Sequence, residues 1–146
     1  MLAKAIAMAA VGHEKQKDKG KKPYILHPLR MMFRLRTEDE ELMQIAVMHD
    51  LIEDTSITLS ELIVKGFSQR VVDALEVLTH DPKVPYEVYI TDISKNKDAV
   101  KIKLEDLKDN SDITRLKGVT PKDVTRMQKY NNAYVFLKET ERSHGD

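Results

Sequence analysis

Within Ala46-Val47-Met48-His49-Asp50-Leu51-Ile52-Glu53-Asp54-Thr55, an otherwise apolar stretch carries an imidazole and three carboxylates. Helical spacing pairs His49 with Glu53 and Asp50 with Asp54, because residues four apart share a face. So many carboxylates at one helix end are unfavourable in a packed domain unless a cation or solvent offsets them. The His-Asp pair alone means little: His80-Asp81 repeats it, followed by Pro82, and reads as a solvated loop. The first copy has possible partners, His27 in Pro23-Tyr24-Ile25-Leu26-His27-Pro28 and Asp106 in Lys103-Leu104-Glu105-Asp106. Two imidazoles and two carboxylates suit a divalent metal of the Mn, Fe or Zn kind. Spacing alone leaves open whether His27, His49, Asp50 and Asp106 converge.

The elements that must position these groups read as helices throughout. Apolar residues recur at helical spacing, predicting a first helix over Leu2–Lys17 and another over Leu29–Leu35 beginning near Pro28. Thr37 with Glu40 forms a capping-box pair opening a helix to about Glu53, and Thr58 with Glu61 repeats the signal before a stop at Gly66. Ser68 opens a helix through Leu78, and helices near Tyr86–Lys95 and Asp98–Asn110 follow. Thr120-Pro121 starts a last helix to about Lys138. The expectation is one all-α, orthogonal helical bundle over residues 1–138, with a polar, frayed tail over 139–146.

Composition supports that reading. The chain of 146 residues has five Gly, five Pro, 5% aromatics and no Trp, which favours helices over a sandwich or barrel. It has no cysteine, so thiolate metal sites, disulfides and a thiol nucleophile are excluded. Its 24 basic and 24 acidic residues give zero net charge, which argues against a general nucleic-acid binder. The zero conceals two blocks: eight basic and two acidic residues over His13–Arg36, then eight acidic and no basic ones over Thr37–Glu61. The longest N-terminal apolar stretch, Ala5–Val11, is too short to span a bilayer. The expectation is a soluble, cytoplasmic protein; its oligomeric state is left open.

His13-Glu14-Lys15-Gln16 with Lys19-Gly20 and Pro23–Pro28, then His49–Thr55, then Lys103–Asp106 with Asn110 fall in one order that covers residues 13 to 116. In that order the segments resemble the HD-domain phosphohydrolases, specifically the hydrolase domain of RelA/SpoT-type alarmone enzymes and their small stand-alone relatives. The resemblance implies that His27, His49, Asp50 and Asp106 hold a metal, usually Mn²⁺, and that Glu53 and Asp54 position or activate the attacking water. It places Lys19, Asn110 and Arg115 along the nucleotide site and Tyr130 against the base or ribose. The activity implied is a metal-dependent removal of the 3′-pyrophosphate from guanosine 3′,5′-bis(diphosphate)-like alarmones. A synthetase domain has no room in 146 residues, so the expectation is degradation only.

Two positions depart from the pattern. Asp18-Lys19 stands where relatives often have Arg-Lys, and Glu105-Asp106-Leu107-Lys108-Asp109-Asn110 where they often read Ala-Asp-Arg-Leu-His-Asn. The metal and water residues are intact while the rim is altered. Two alternatives therefore stay open: hydrolysis of another small nucleotide (an adenine alarmone, a nucleoside monophosphate or a phosphorylated dinucleotide), or a catalytically silent nucleotide- or metal-binding sensor.

Overall fold

A computed structural model describes residues 1–144 and shows an all-helical bundle with no strand among them; Gly145 and Asp146 lie outside the described residues. In chain order the helices are α1 (Leu2–Gly12), α2 (Leu26–Arg34), α3 (Glu40–Met48), α4 (Leu51–Asp54), α5 (Leu59–Val64), α6 (Gln69–Leu78), α7 (Tyr86–Ser94), α8 (Lys97–Asn110) and α9 (Pro121–Ser143), with a 3₁₀ turn at Ile113–Arg115. The architecture is the expected all-α bundle.

Helix α3 is the centre of the bundle. Leu42, Ile45, Ala46, Val47 and Met48 are all buried, because α1, α2, α6 and α8 pack around it. Burying each larger side chain contributes roughly 1.5–3 kcal/mol, so this apolar run fixes the axis on which the site is built. Helix α9 closes the other side, laying Ala133 and Leu137 against α8 and α7.

Several boundaries differ from those read in the sequence. The first helix ends at Gly12 instead of Lys17, and a narrow turn follows in which Lys17 pairs with Pro23. Gly12 lets α1 approach the site helix: a Cβ there would lie 2.7 Å from Leu51 Cδ1. Helix α2 starts at Leu26, two residues ahead of the expected start near Pro28. Pro28 falls in its first turn, where a missing N–H breaks no helical bond, and that places His27 inside the helix. The cap of α3 is Asp39, whose side chain accepts from Leu42 N; Thr37 accepts from Asp39 N instead of capping with Glu40. Beyond Lys138, α9 continues as helix to Ser143, where a frayed tail was expected.

The capping expectations at Thr58, Ser68 and Thr120 match: each accepts from the backbone N–H three residues on, and Thr120 with Asp123 completes a capping box. Gly66, with φ +96°, ends α5 as its turn requires. Gly66 N and Phe67 N return to Ile63 O and Leu62 O.

Candidate active site

The helix expected to run unbroken to Glu53 stops at Met48 and restarts at Leu51. This corrects the expected stacking of His49 over Glu53. The interruption turns the Glu53 carboxylate towards the backbone N–H of His80, 2.7 Å away, while His49 points inward. Asp50, at the joint with φ −103° and ψ 1°, brings its carboxylate 2.9 Å from His49 Nε2.

His27, His49, Asp50 and Asp106 meet at one point. One ligand atom from each lies within 4.8 Å of the others. His27 Nε2 is 2.9 Å from Asp106 Oδ1 and 3.3 Å from His49 Nε2. Helix α2 brings His27, α3 and its break bring His49 and Asp50, and α8 brings Asp106.

Both imidazoles use Nδ1 elsewhere. That of His49 donates to Ala46 O at 2.8 Å, and that of His27 to Asp109 at 2.6 Å. With Nδ1 engaged in each ring, Nε2 is the nitrogen that faces the centre. Two such nitrogens 3.3 Å apart, with two carboxylates, make a cluster that could hold a divalent cation. Burial opposes a charge on either ring, yet Asp106 and Asp109 raise the His27 imidazole, and Asp50 and Asp106 that of His49, above their ordinary range. The pocket is built for positive charge.

The remaining groups hold these ligands in place. Tyr24 O–H donates to Asp50 Oδ2 in a very short bond. Lys103 Nζ donates to Asp106 Oδ2 at 2.7 Å, and Asn110 Nδ2 to Asp106 Oδ1 at 2.8 Å. Gln16, held by His13 through a 2.8 Å contact, donates to Asp54 Oδ2 at 3.1 Å. Although Glu53 and Asp54 keep exposed edges, partial burial pushes both carboxyls above the usual range, and the charge of Asp50 adds to it.

Above the cluster opens a cavity of about 340 Å³. Asp50, Glu53 and Asp106 form part of its floor, and Lys19, Asn110, Arg115 and Tyr130 all lie on its wall. Asp54 stands just outside the lining, tied to Gln16. Arg115 is already engaged: it donates to Asp18 Oδ2 and to Asp109 Oδ2, each at 2.8 Å. Asn110 likewise serves Asp106.

Sequence reasoning missed Asp109, Lys103, the positioning role of Tyr24, and Arg126, which lines the cavity and pairs with Asp123. Arg30 and Arg34 on α2 both pair with Asp109. The signal was present: Asp106 and Asp109 are three apart on one helix, as Arg126 and Tyr130 are four apart on another.

Fold and side chains together define an all-helical bundle with a cluster of two histidines and two aspartates that could hold a metal ion. The fold matches, at a TM-score of 0.77 and 22% identity, a solved structure described as a metazoan ortholog of SpoT that hydrolyzes ppGpp and plays a role in starvation responses. That match covers 99% of this chain and 95% of the other. In sequence, the chain is 36% identical over 91 residues to a guanosine-3′,5′-bis(diphosphate) 3′-pyrophosphohydrolase of Xenopus tropicalis, covering 58% of this chain and 50% of that one. It is 35% identical over 88 residues to the enzyme of the same name from Aquifex aeolicus, covering 59% of this chain and 12% of that one. The chain thus spans half or less of the length of these two relatives. No family model matches it. No helix among the described residues is long and apolar enough to cross a membrane.

Proposed function

We propose that this chain, as a single hydrolase domain, removes the 3′-pyrophosphate from guanosine 3′,5′-bis(diphosphate)-like nucleotides, with Mn²⁺ as the metal. The observation that carries the reading is the convergence of His27, His49, Asp50 and Asp106 beneath a cavity with cationic groups on its wall. Sequence similarity to enzymes of that name supports the substrate class.

His27, His49, Asp50 and Asp106 would hold a dication, which would supply Lewis acidity at the phosphoryl group. Glu53 and Asp54 orient the attacking water and take its proton. Their raised carboxyl pKa values bring them closer to the working range of a general base. The water oxygen bonds to the phosphorus next to the 3′ oxygen, the 3′ O–P bond breaks, and the 3′ oxygen leaves protonated, giving GDP and pyrophosphate. Lys19 and Arg126 meet phosphate charge, and Tyr130 offers its ring to the base or ribose. Asn110 and Arg115 contribute from the wall through the ligands and acids they already hold.

Purified protein with Mn²⁺ and ppGpp is expected to release pyrophosphate and GDP, ahead of adenine alarmones and nucleoside monophosphates in a nucleotide panel. Glu53→Gln and Asp54→Asn should each lower kcat by about 10²–10⁴ while leaving bound Mn²⁺ in place. Asp106→Ala should strip the metal. No release from ppGpp with any divalent metal would end the alarmone reading.

A further inference from the structure

We infer that Asp109 is the positioning residue that presents His27 to the metal, and that its anchoring reaches through Arg115 to Asp18 on the cavity wall. The inference rests on the metal-centre reading above. Asp109 lies one turn beyond Asp106 on α8, so both aspartates face α2, which carries His27, Arg30 and Arg34. Its side chain is 0% exposed. Oδ2 accepts from His27 Nδ1 at 2.6 Å, from Arg115 Nη1 at 2.8 Å and from Arg30 Nη2 at 3.1 Å. Oδ1 accepts from Arg34 Nη1 at 2.9 Å and Arg30 Nε at 3.0 Å.

Three guanidinium groups already donate to this carboxylate, so in its contact with His27 the ring nitrogen Nδ1 is the donor, and Nε2 is the nitrogen that faces the cluster. His49 receives the same orientation from a neutral carbonyl, that of Ala46. A full negative charge behind His27 does more: it raises the basicity of the coordinating nitrogen. An ion-pair staple between α2 and α8 would need only Arg30 and Arg34, yet the bond to His27 is the shortest that Asp109 makes.

Arg115 carries the arrangement outward. Its Nη2 donates to Asp18 Oδ2 at 2.8 Å, while Asp18 Oδ1 accepts from Lys22 N at 2.9 Å. The turn that bears Lys19 is thus tied through two ion pairs to a metal ligand.

Two measurements test this. In protein labelled with ¹⁵N-histidine and loaded with diamagnetic Zn²⁺, His27 should show a protonated, hydrogen-bonded Nδ1 and a metal-shifted Nε2. Coordination through Nδ1, or an Nδ1 proton exchanging freely with water, would overturn the inference. Because this uses the wild-type chain, it stands even where a variant fails to fold. In a Mn²⁺ titration read by electron paramagnetic resonance, Asp109→Asn should bind about 10–100-fold more weakly. Arg34→Ala, which removes a donor from Asp109 and none from His27, should bind nearly as the wild type does. Wild-type affinity in Asp109→Asn would refute the role of Asp109 while leaving the metal centre standing. A wild-type chain that takes up no divalent metal would instead remove the metal centre itself, and this relay with it.

Discussion

Replacing Lys103 with Met separates the protein's own counter-charge from a metal's. Lys103 Nζ sits 2.7 Å from Asp106 Oδ2, its side chain only 13% exposed, with the Tyr89 ring 5.2 Å away. Burial alone would lower its pKa, but Asp106 holds the ammonium well above the ordinary value, so it is charged throughout the working range. Lys103→Met keeps most of the volume and leaves Asp106 Oδ2 without its donor. A hydrogen bond to a charged group is worth about 1.5–3 kcal/mol. Asp106 Oδ1 keeps Asn110 and His27, so the metal-free loss should fall near 2 kcal/mol, roughly 4–8 °C in Tm for a chain of this size. A bound dication replaces the missing positive charge, so saturating Mn²⁺ should shrink the deficit. By linkage, Mn²⁺ should bind the variant more tightly than it binds the wild type. Calorimetric melting of both proteins with and without Mn²⁺ measures all four corners. An equal deficit in both conditions, or none in the metal-free protein, would refute the reasoning.

Other consequences are as direct. At Gly20 an added Cβ would sit 2.7 Å from Arg115 O, so Gly20→Ala must displace the turn bearing Lys19; nucleotide affinity, measured by titration, should drop by about fivefold, near 1 kcal/mol. Gly66→Ala meets no atom within 4 Å, so its cost is backbone alone, about 1–2 kcal/mol in a urea melt for φ +96°. Arg70 hydrogen-bonds Asp39 and lowers that carboxyl below its usual value, so the pairing stabilises above about pH 4 and fades as pH falls through the lowered pKa. Arg70→Met should therefore cost about 1 kcal/mol at pH 7 in urea melts, after solvent screening, and less at pH 3.

Local signals carried most of the helical layout. The Thr58, Ser68 and Thr120 caps and Gly66 act within four residues, where sequence neighbours decide the outcome. His27, His49, Asp50 and Asp106 were grouped by residue type and motif order, yet their convergence depends on three helices packing together, which no spacing states. The break after Met48 was hidden because its cause is tertiary: His49 and Asp50 are drawn to His27 and Asp106 against the local preference for a continuous helix. Asp109 was passed over for the same reason. Among charged residues on α8 it looks like a solvated face until α2 is laid across it.

Arg70 has a further consequence far from any substrate. It joins Asp39, the cap of α3, to Asp98 in the first turn of α8. Those two helices end, at their other extremities, in His49 and in Asp106 with Asn110. From Asp39 to His49 is about 15 Å along the helix axis, ten residues at 1.5 Å each. Arg70 therefore acts as the pivot of a pair of calipers whose jaws carry His49 and Asp106. A small splay at that pivot would open the jaws in proportion to the length of the arms. The spacing of His49 and Asp106 thus depends on a surface clasp that touches neither of them.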